Sequence, residues 1–372
     1  MSKLFKYAFS DLYDISSGIS STKDQAGHGT PFASFRTVFN NIFLPDKLPD
    51  LMEVSEKEQK IYSIKKGDIL ITRTSETVDE LAMSCVALKD YPQATYSGFV
   101  KRLRPKTEGL VYDRFMAFFL RSKYFRKVIE CNTIMTLRAS FNEDIFSFLD
   151  LYLPDYETQK RIGDLLYHME RKRENNAQIN DNLQQMAHMT FMHCFWGKPT
   201  NGTIGEILVE HEKSPIQVGQ AKNTVGSYPF FTSGDAVLRW KSSLIDGRNI
   251  FMNTGGNAGV KFYVGKAAYS TDTWCVSARD GLSDYLYLFL DSIKPELSQK
   301  FFQGTGLKHL QKPILKNRPM YIPSKDELEV FNHSVIPWLT LVSDNIRESE
   351  RLAALRDWLL PMLMNGQATI ED

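Results

Sequence analysis

The sequence predicts an α+β fold: two similar mixed modules separated by two long helices that pair antiparallel as a coiled coil, with a pseudo-two-fold repeat inside one chain. Three observations carry this. At 372 residues the chain exceeds the size at which a single core stops growing, so two domains are the default. The stretch YLPDYETQKRI at Tyr152 returns as YIPSKDELEVF at Tyr321, 169 positions later. After each copy, apolar residues recur at heptad spacing for about 40 residues.

The elements follow in order. Residues 1–151 form a first module, 152–197 a first long helix, 198–320 a second module and 321–372 a second long helix. The shift of 169 places Pro154 on Pro323, Asn176 on Asn345, Leu183 on Leu352 and Gly197 on Gly366. Upstream the match continues with small changes of offset, as loops of unequal length produce. FFLRS at Phe118 meets LFLDS at Leu288, TYS at Thr95 meets AYS at Ala268, GDILITRT at Gly67 meets GRNIFMNT at Gly247, and PFASF at Pro31 meets PFFTS at Pro229. Short β-rich runs bounded by glycine and polar turns give each module strands, and DRFMAFFLRSKYF and SDYLYLFLDSIKPEL give each a helix.

In the first long helix the seam is Ile162, Leu165, Met169, Ile179, Leu183 and Met186, interrupted by Lys172 and Asn176. In the second it is Phe331, Val335, Leu339, Val342, Ile346, Leu352, Leu359 and Leu363. Ser324 to Glu327 has capping-box spacing, and Gly197 and Gly366 stand where helices end. At 1.5 Å per residue each rod spans about 60 Å. Pro337 is expected to bend or interrupt the second helix near its first turns. Asn176 and Asn345 either fix the register of the pair or face solvent.

Composition excludes several classes. Four scattered cysteines without a CxxC pair disfavour disulfide and zinc frameworks and fit a reducing cytoplasm. No run of about 18 apolar residues predicts a membrane span, and no signal-peptide core opens the chain. A net charge of +1 argues against coating nucleic acid by bulk charge, although residues 61–140 hold 14 Lys/Arg against 8 Asp/Glu. TGGNAG at Thr254 and GVKFYVGKA at Gly259 depart from dinucleotide and P-loop spacing and read as loops. The seven histidines show no metal-ligand spacing, and no methyl-transfer tetrapeptide occurs, so the chain reads as non-catalytic.

The order strand, proline, acidic residue, QKRI and long helix, closing on LQQMAHMTFMHCFWG, resembles the specificity subunits of type I restriction-modification systems. LAALRDWLLPMLMNGQ is similar to their C-terminal ends, and KKGDILITRT and GTGLKHLQKPIL to segments of their target-recognition domains. The resemblance implies a chain whose two modules are target-recognition domains, each reading one half of a split double-stranded DNA sequence, with the helices setting the unread spacer. It implies two methyltransferase subunits as partners, which methylate adenine, and restriction subunits that cleave DNA. S-adenosylmethionine then belongs to the methyltransferase subunit, and ATP and Mg to the restriction subunit. This chain binds no cofactor, no metal and no membrane, and works in the cytoplasm. The alternative is a two-module scaffold for protein assembly.

Base reading needs Arg or Lys for guanine, Asn or Gln for adenine, and Ser or Thr for looser contacts, presented on loops that enter a groove. The first module offers Ser34, Arg36, Thr72, Arg73, Thr74, Ser75 and Arg138, with Lys101, Arg102 and Arg104 as phosphate contacts. The second offers Thr232, Ser233, Asn253, Thr254, Asn257, Lys308 and His309, with Lys308 aligned on Arg138 at a shift of 170. Phe191, Phe195, Trp196, Trp358 and Met362 either meet the partner subunits or cap the coiled-coil core.

Overall fold

A computed structural model describes residues 3–75, 77, 80–132, 139–141, 143–306, 308–368 and 370. It divides into two compact units, Met1–Lys172 with Arg351–Asp372, and Arg173–Glu350. Each long helix contributes one end to each unit, so the division falls inside the helices and not at the module boundaries.

In the first unit the strands are β1 (Phe5–Ala8), β2 (Tyr13–Ser17), β3 (Ala26–Ala33), β4 (Asp50–Met52), β5 (Ile69–Thr72), β6 (Thr74–Ser75), β7 (Ser84–Val86), β8 (Thr95–Tyr96), β9 (Val100–Pro105), β10 (Ala139–Ser140) and β11 (Asp150–Leu153). An antiparallel sheet runs β2-β9-β5-β7, and a second sheet, β4-β3-β8, contains one parallel pair. Alternation along β5 separates two cores. Ile69 and Ile71 face the helix residues Phe115, Phe119, Ile162 and Leu166, while Leu70 joins Cys85 and Val100 on the opposite face.

The second unit repeats the plan with β12 (Gly202–Thr203), β13 (Leu208–Glu210), β14 (Tyr228–Phe231), β15 (Val237–Trp240), β16 (Arg248–Asn253), β17 (Val260–Val264), β18 (Ala268–Tyr269), β19 (Thr273–Ala278), β20 (Phe302–Gln303), β21 (His309–Leu310) and β22 (Pro319–Met320). Its sheets run β13-β19-β16-β17 and β15-β14-β18, again with one parallel pair in the second. Ile250 and Met252 face Leu286, Phe331 and Val335; Phe251 turns the other way and stacks on Phe231 with ring centroids 4.0 Å apart.

The twin sheets correct the sequence alignment by one residue. Thr72 pairs with Val100 and Asn253 with Thr273, so Thr72 is the counterpart of Asn253, and Arg73 that of Thr254. Aligning Gly67 with Gly247 had set Arg73 on Asn253. Side chains alternate across a strand, and that slip would send every one of them to the wrong face.

Each module is fastened to a long helix by polar contacts in its own unit. In the first, Asp164 accepts hydrogen bonds from the Tyr112 hydroxyl and an Arg114 nitrogen, both at 2.7 Å. Gly163 permits the approach, since a Cβ there would lie 2.6 Å from the Phe115 nitrogen. In the second, Arg248 clamps Asp284 and donates to Thr340 Oγ1 at 2.8 Å, while Arg347 donates to the Val264 carbonyl at 2.6 Å.

The long helices span Tyr156–Phe195 and Lys325–Met364; they run antiparallel in the second unit, and in the first Arg356 pairs with Glu170 at 2.8 Å. The second is continuous past Pro337, so the interruption that was one of the two expected outcomes does not occur. Just before it, Ile336 O accepts from Thr340 Oγ1 and from Arg248. The predicted seam also shifts beyond Met169. Asn176, Ala187, Phe191 and Phe195 are buried, whereas Ile179 and Met186 point outward. Asn176 Nδ2 donates to Glu348 Oε2 at 2.8 Å and to Ser349 Oγ at 3.2 Å, and Asn345 Nδ2 donates to Asn180 Oδ1 at 2.8 Å. Both asparagines are therefore interior links and not solvent-facing. The Ser324–Glu327 capping box is present, with Ser324 N donating to Glu327 Oε2 and Glu327 N to Ser324 Oγ.

Candidate nucleic-acid interface

In the first module several predicted residues come together at one end of β5. Arg73 N donates to Phe99 O at 2.9 Å, and Phe141 N donates to Arg73 O at 2.8 Å. Thr74 pairs with Ser140 and Ser75 with Ala139, so the TRTS and AS segments form one small ladder. Arg73 is exposed, Thr74 and Ser75 are half-buried, and Ser75 Oγ accepts from Thr77 N at 3.2 Å. Ser97 N donates to Ala33 O, which brings the PFASF turn to the same end. There Ser34 caps the helix Phe35–Asn40 by accepting from Thr37 N at 3.2 Å, and Arg36 is exposed on that helix. Arg138 lies outside the described residues, and the pairing of His309 with Gly255, matched to that of Ser140 with Thr74, aligns Lys308 with Ala139.

Four predicted contacts of this module belong instead to its frame. Thr72 is fully buried, its hydroxyl accepting from Met83 N at 2.9 Å. Lys101 is buried beside Glu143 at 3.4 Å, and Arg102 is buried with a nitrogen 2.7 Å from Ser63 O. Arg104 grips Asp68 through two bonds of 2.7 and 2.6 Å, which raises the arginine pKa above its usual value. These side chains alternate along β9, where the sheet and its neighbours enclose them. Much of the basic excess of residues 61–140 is engaged similarly: Lys89 pairs with Asp46, Lys106 with Asp14 and Arg114 with Asp164. Arg121 is desolvated, which lowers its pKa, and donates to the carbonyls of Val38, Phe39, Asn41 and Ser84.

The second module assembles its three predicted loops likewise. Thr254 N donates to Ser233 Oγ at 3.0 Å and to Asp272 O at 3.3 Å. Gly256 N donates to Lys308 O at 2.9 Å, Leu310 N donates to Thr254 O at 3.0 Å, and Gly255 bridges to His309. Gly256 adopts φ +77°, a left-handed conformation that glycine takes without steric cost. Asn257, Lys308 and His309 are exposed. Thr232 and Asn253 are buried and turned to internal carbonyls: Thr232 Oγ1 donates to Ala236 O at 2.6 Å and Asn253 Nδ2 to Asn257 O at 3.0 Å. Both brace the loops from behind.

Sequence reasoning missed three participants here. Lys261 donates to Thr232 O at 2.9 Å and also to Gly234 O, and burial lowers its pKa; it holds the FTSGD loop in place. Phe99 and Asp272 stand at the tips of matching turns beside Arg73 and Thr254. The serine-glycine pair before Phe99 was the available turn signal.

Of the proposed helix-borne contacts, Phe191 and Phe195 are core residues packed on Tyr285, Phe289 and Phe331. Trp196 and Trp358 are 48% and 65% exposed, and Met362 is half-buried. TGGNAG is the turn of the β16–β17 hairpin, and the strand Val260–Val264 follows it, so neither glycine-rich segment opens a phosphate-binding helix. Among the described residues no cluster of three or more metal-ligating side chains occurs, and no helix is long and apolar enough to cross a membrane.

Fold and site together define a two-module chain that presents a ring of polar loops on each of two matching frames. The model of the type I restriction modification DNA specificity domain matches residues 6–185 and 196–334. The HindI type I restriction enzyme specificity subunit of Haemophilus influenzae is 29% identical over 189 residues, covering 50% of this chain and 39% of that subunit. The MjaIX specificity subunit of Methanocaldococcus jannaschii is 21% identical over 369 residues, covering 87% and 82%. The crystal structure of a type I restriction-modification S subunit from M. genitalium superposes with a TM-score of 0.69 over 97% of this chain and 96% of that one, at 13% identity. The chain belongs to the type I restriction-modification DNA specificity family, with one specificity domain in each half.

Proposed function

We propose that this chain reads a two-part double-stranded DNA sequence, one half with each module's ring of loops. It thereby directs methyltransferase subunits to adenine and, when restriction subunits join, directs cleavage. The observation that carries the reading is the pair of rings: matched backbone frames bearing different residues at corresponding positions. Exposed arginine, lysine and asparagine, with half-buried serine and threonine, on braced loops are the donors and acceptors that base edges require. Trp196, just past the end of the first long helix, and Trp358 and Met362 on the second remain available for methyltransferase partners, the aromatic chemistry that protein interfaces favour. S-adenosylmethionine is carried by the methyltransferase subunit, and ATP with Mg by the restriction subunit. This chain supplies recognition alone, in the cytoplasm where its DNA lies.

The test is to co-express the chain with its methyltransferase subunit and map methylated adenines across the genome. A new split motif supports the reading; an assembled, active complex that yields no such motif contradicts it.

A further inference from the structure

One turn is built identically in both modules and ends in different chemistry. In the first module Ser97 N donates to Ala33 O, Gly98 N to Ile19 O and Val100 N to Ser97 O, while Phe99 O accepts from Arg73 N. In the second, Ser270 N donates to Phe231 O, Thr271 N to Ile216 O and Thr273 N to Ser270 O, while Asp272 O accepts from Thr254 N. Four backbone bonds are thus repeated, with the turn residues of the two modules in one constant correspondence. The first turn is braced further by Phe99 N donating to Ser97 Oγ at 3.2 Å. It is also tightly packed, for a Cβ on Gly98 would lie 2.9 Å from Ile19 O.

On this shared frame the tip residue is Phe99 in one module and Asp272 in the other. Phe99 is 63% exposed and Asp272 is exposed, so neither side chain is needed to fill a core. Single exposed apolar residues are ordinary on protein surfaces. This one, however, sits beside the exposed Arg73 at the mouth of the loop ring, on a turn held by backbone hydrogen bonds. Phenylalanine meets the C5-methyl group of thymine in the major groove, and a carboxylate accepts a hydrogen from the N4 amino group of cytosine.

We infer that this tip is the specificity-determining position of each module: Phe99 selects a thymine through its methyl group, and Asp272 selects a cytosine through its amino group. The inference rests on the proposed DNA-reading function and assigns part of it to two residues.

The experiment uses the chain assembled with its methyltransferase subunit. The split motif is first obtained from the wild-type methylation map, and duplexes are then made with each thymine of the first half replaced singly by uracil, which lacks only the methyl group. One such replacement is expected to weaken wild-type binding about fourfold, the scale of one buried methyl-sized group. Phe99→Ala is expected to bind the thymine and uracil duplexes equally. Asp272→Ala is expected to lose its preference for cytosine at one position of the second half only. Both variants should keep the wild-type melting temperature, because the frame uses backbone atoms at these sites. A wild type without any split motif refutes the proposed function itself. A wild type with a motif, but whose Phe99→Ala variant still distinguishes thymine from uracil, or whose Asp272→Ala variant keeps its cytosine preference, overturns the assignment.

Discussion

The two modules differ where they face outward and agree where they are held together. At matched positions around the ring stand Arg73 and Thr254, Thr74 and Gly255, Ser75 and Gly256, Ser140 and His309, and Phe99 and Asp272. The main-chain bonds behind these residues correspond in both, from the four-stranded sheets to the turn that carries each tip. Frame and reader are therefore separate sets of residues. The frame uses main-chain amides, buried threonine and asparagine, and ion pairs shielded from water. Side chains that leave all of those bonds untouched can change without altering the fold.

The largest expected effects come from breaking the frame. The carboxylates of Asp68 and Asp284 are each only 1% exposed and each has one arginine as its ion-pair partner among the described residues, Arg104 and Arg248 respectively. Replacing either arginine by alanine leaves a buried, uncompensated carboxylate and should cost about 3–5 kcal/mol in that unit. Chemical denaturation followed by domain-resolved hydrogen exchange would show the loss in the mutated half; a change under about 1 kcal/mol would remove these pairs from the frame.

A reader substitution should do the opposite. Arg73→Ala is expected to leave stability within about 0.5 kcal/mol, as for an exposed side chain with no structural partner among the described residues. Binding to the cognate duplex should weaken by about 1–3 kcal/mol, with the preference relaxed in the first half only. Titration calorimetry on cognate and mismatched duplexes checks both numbers, and an unfolded Arg73→Ala protein would erase the distinction.

The smallest effect separates the two module-to-helix junctions. At the second, Lys198, Tyr321 and Ser324 hold the Glu327 carboxyl down to about 2, from an ordinary value near 4.5. At the first, Asp155 is held low mainly by the Thr158 amide, and Tyr152 is exposed instead of joining the network. A folded pKa below the unfolded one gives a contribution that is complete above about pH 4.5 and is lost as pH falls toward about 2. Melting temperatures measured from pH 5 to 2 should drop less steeply for Glu327→Gln than for wild type; parallel curves would show that the network adds no acid sensitivity.

Much of the architecture was legible because it is periodic or duplicated. The repeat at Tyr152 and Tyr321, the heptad stripe of the second long helix and the capping box at Ser324 are local patterns that tertiary context left in place, whereas the stripe of the first helix held only as far as Met169. Register was not legible. Gly67 and Gly247 occupy similar turns, yet β5 and β16 enter their sheets one residue apart relative to those glycines, and only cross-strand pairing reveals it. The loops of the site were legible as units, but not their members. Lys101, Arg102 and Arg104 have the composition of a phosphate-binding strand, and only the packing around β9 shows that their charges are turned inward. Phe99 was invisible for the converse reason, since an apolar residue in a strand-rich run reads as core. Asn176, which broke the apolar stripe, and its match Asn345 could be read either as register-fixing or as solvent-facing, and the bonds they make across the helix pair decide for the interior.

The separation of frame from reader is tested most directly by emptying one ring at a time. The complex would carry Arg73, Thr74 and Phe99 replaced by alanine, or else Asn257, Asp272 and Lys308, and the methylated motif would be mapped for each. Each set is expected to abolish base preference in its own half of the motif while the other half and the fold persist. Loss of both halves from either set, or of neither, would contradict the account.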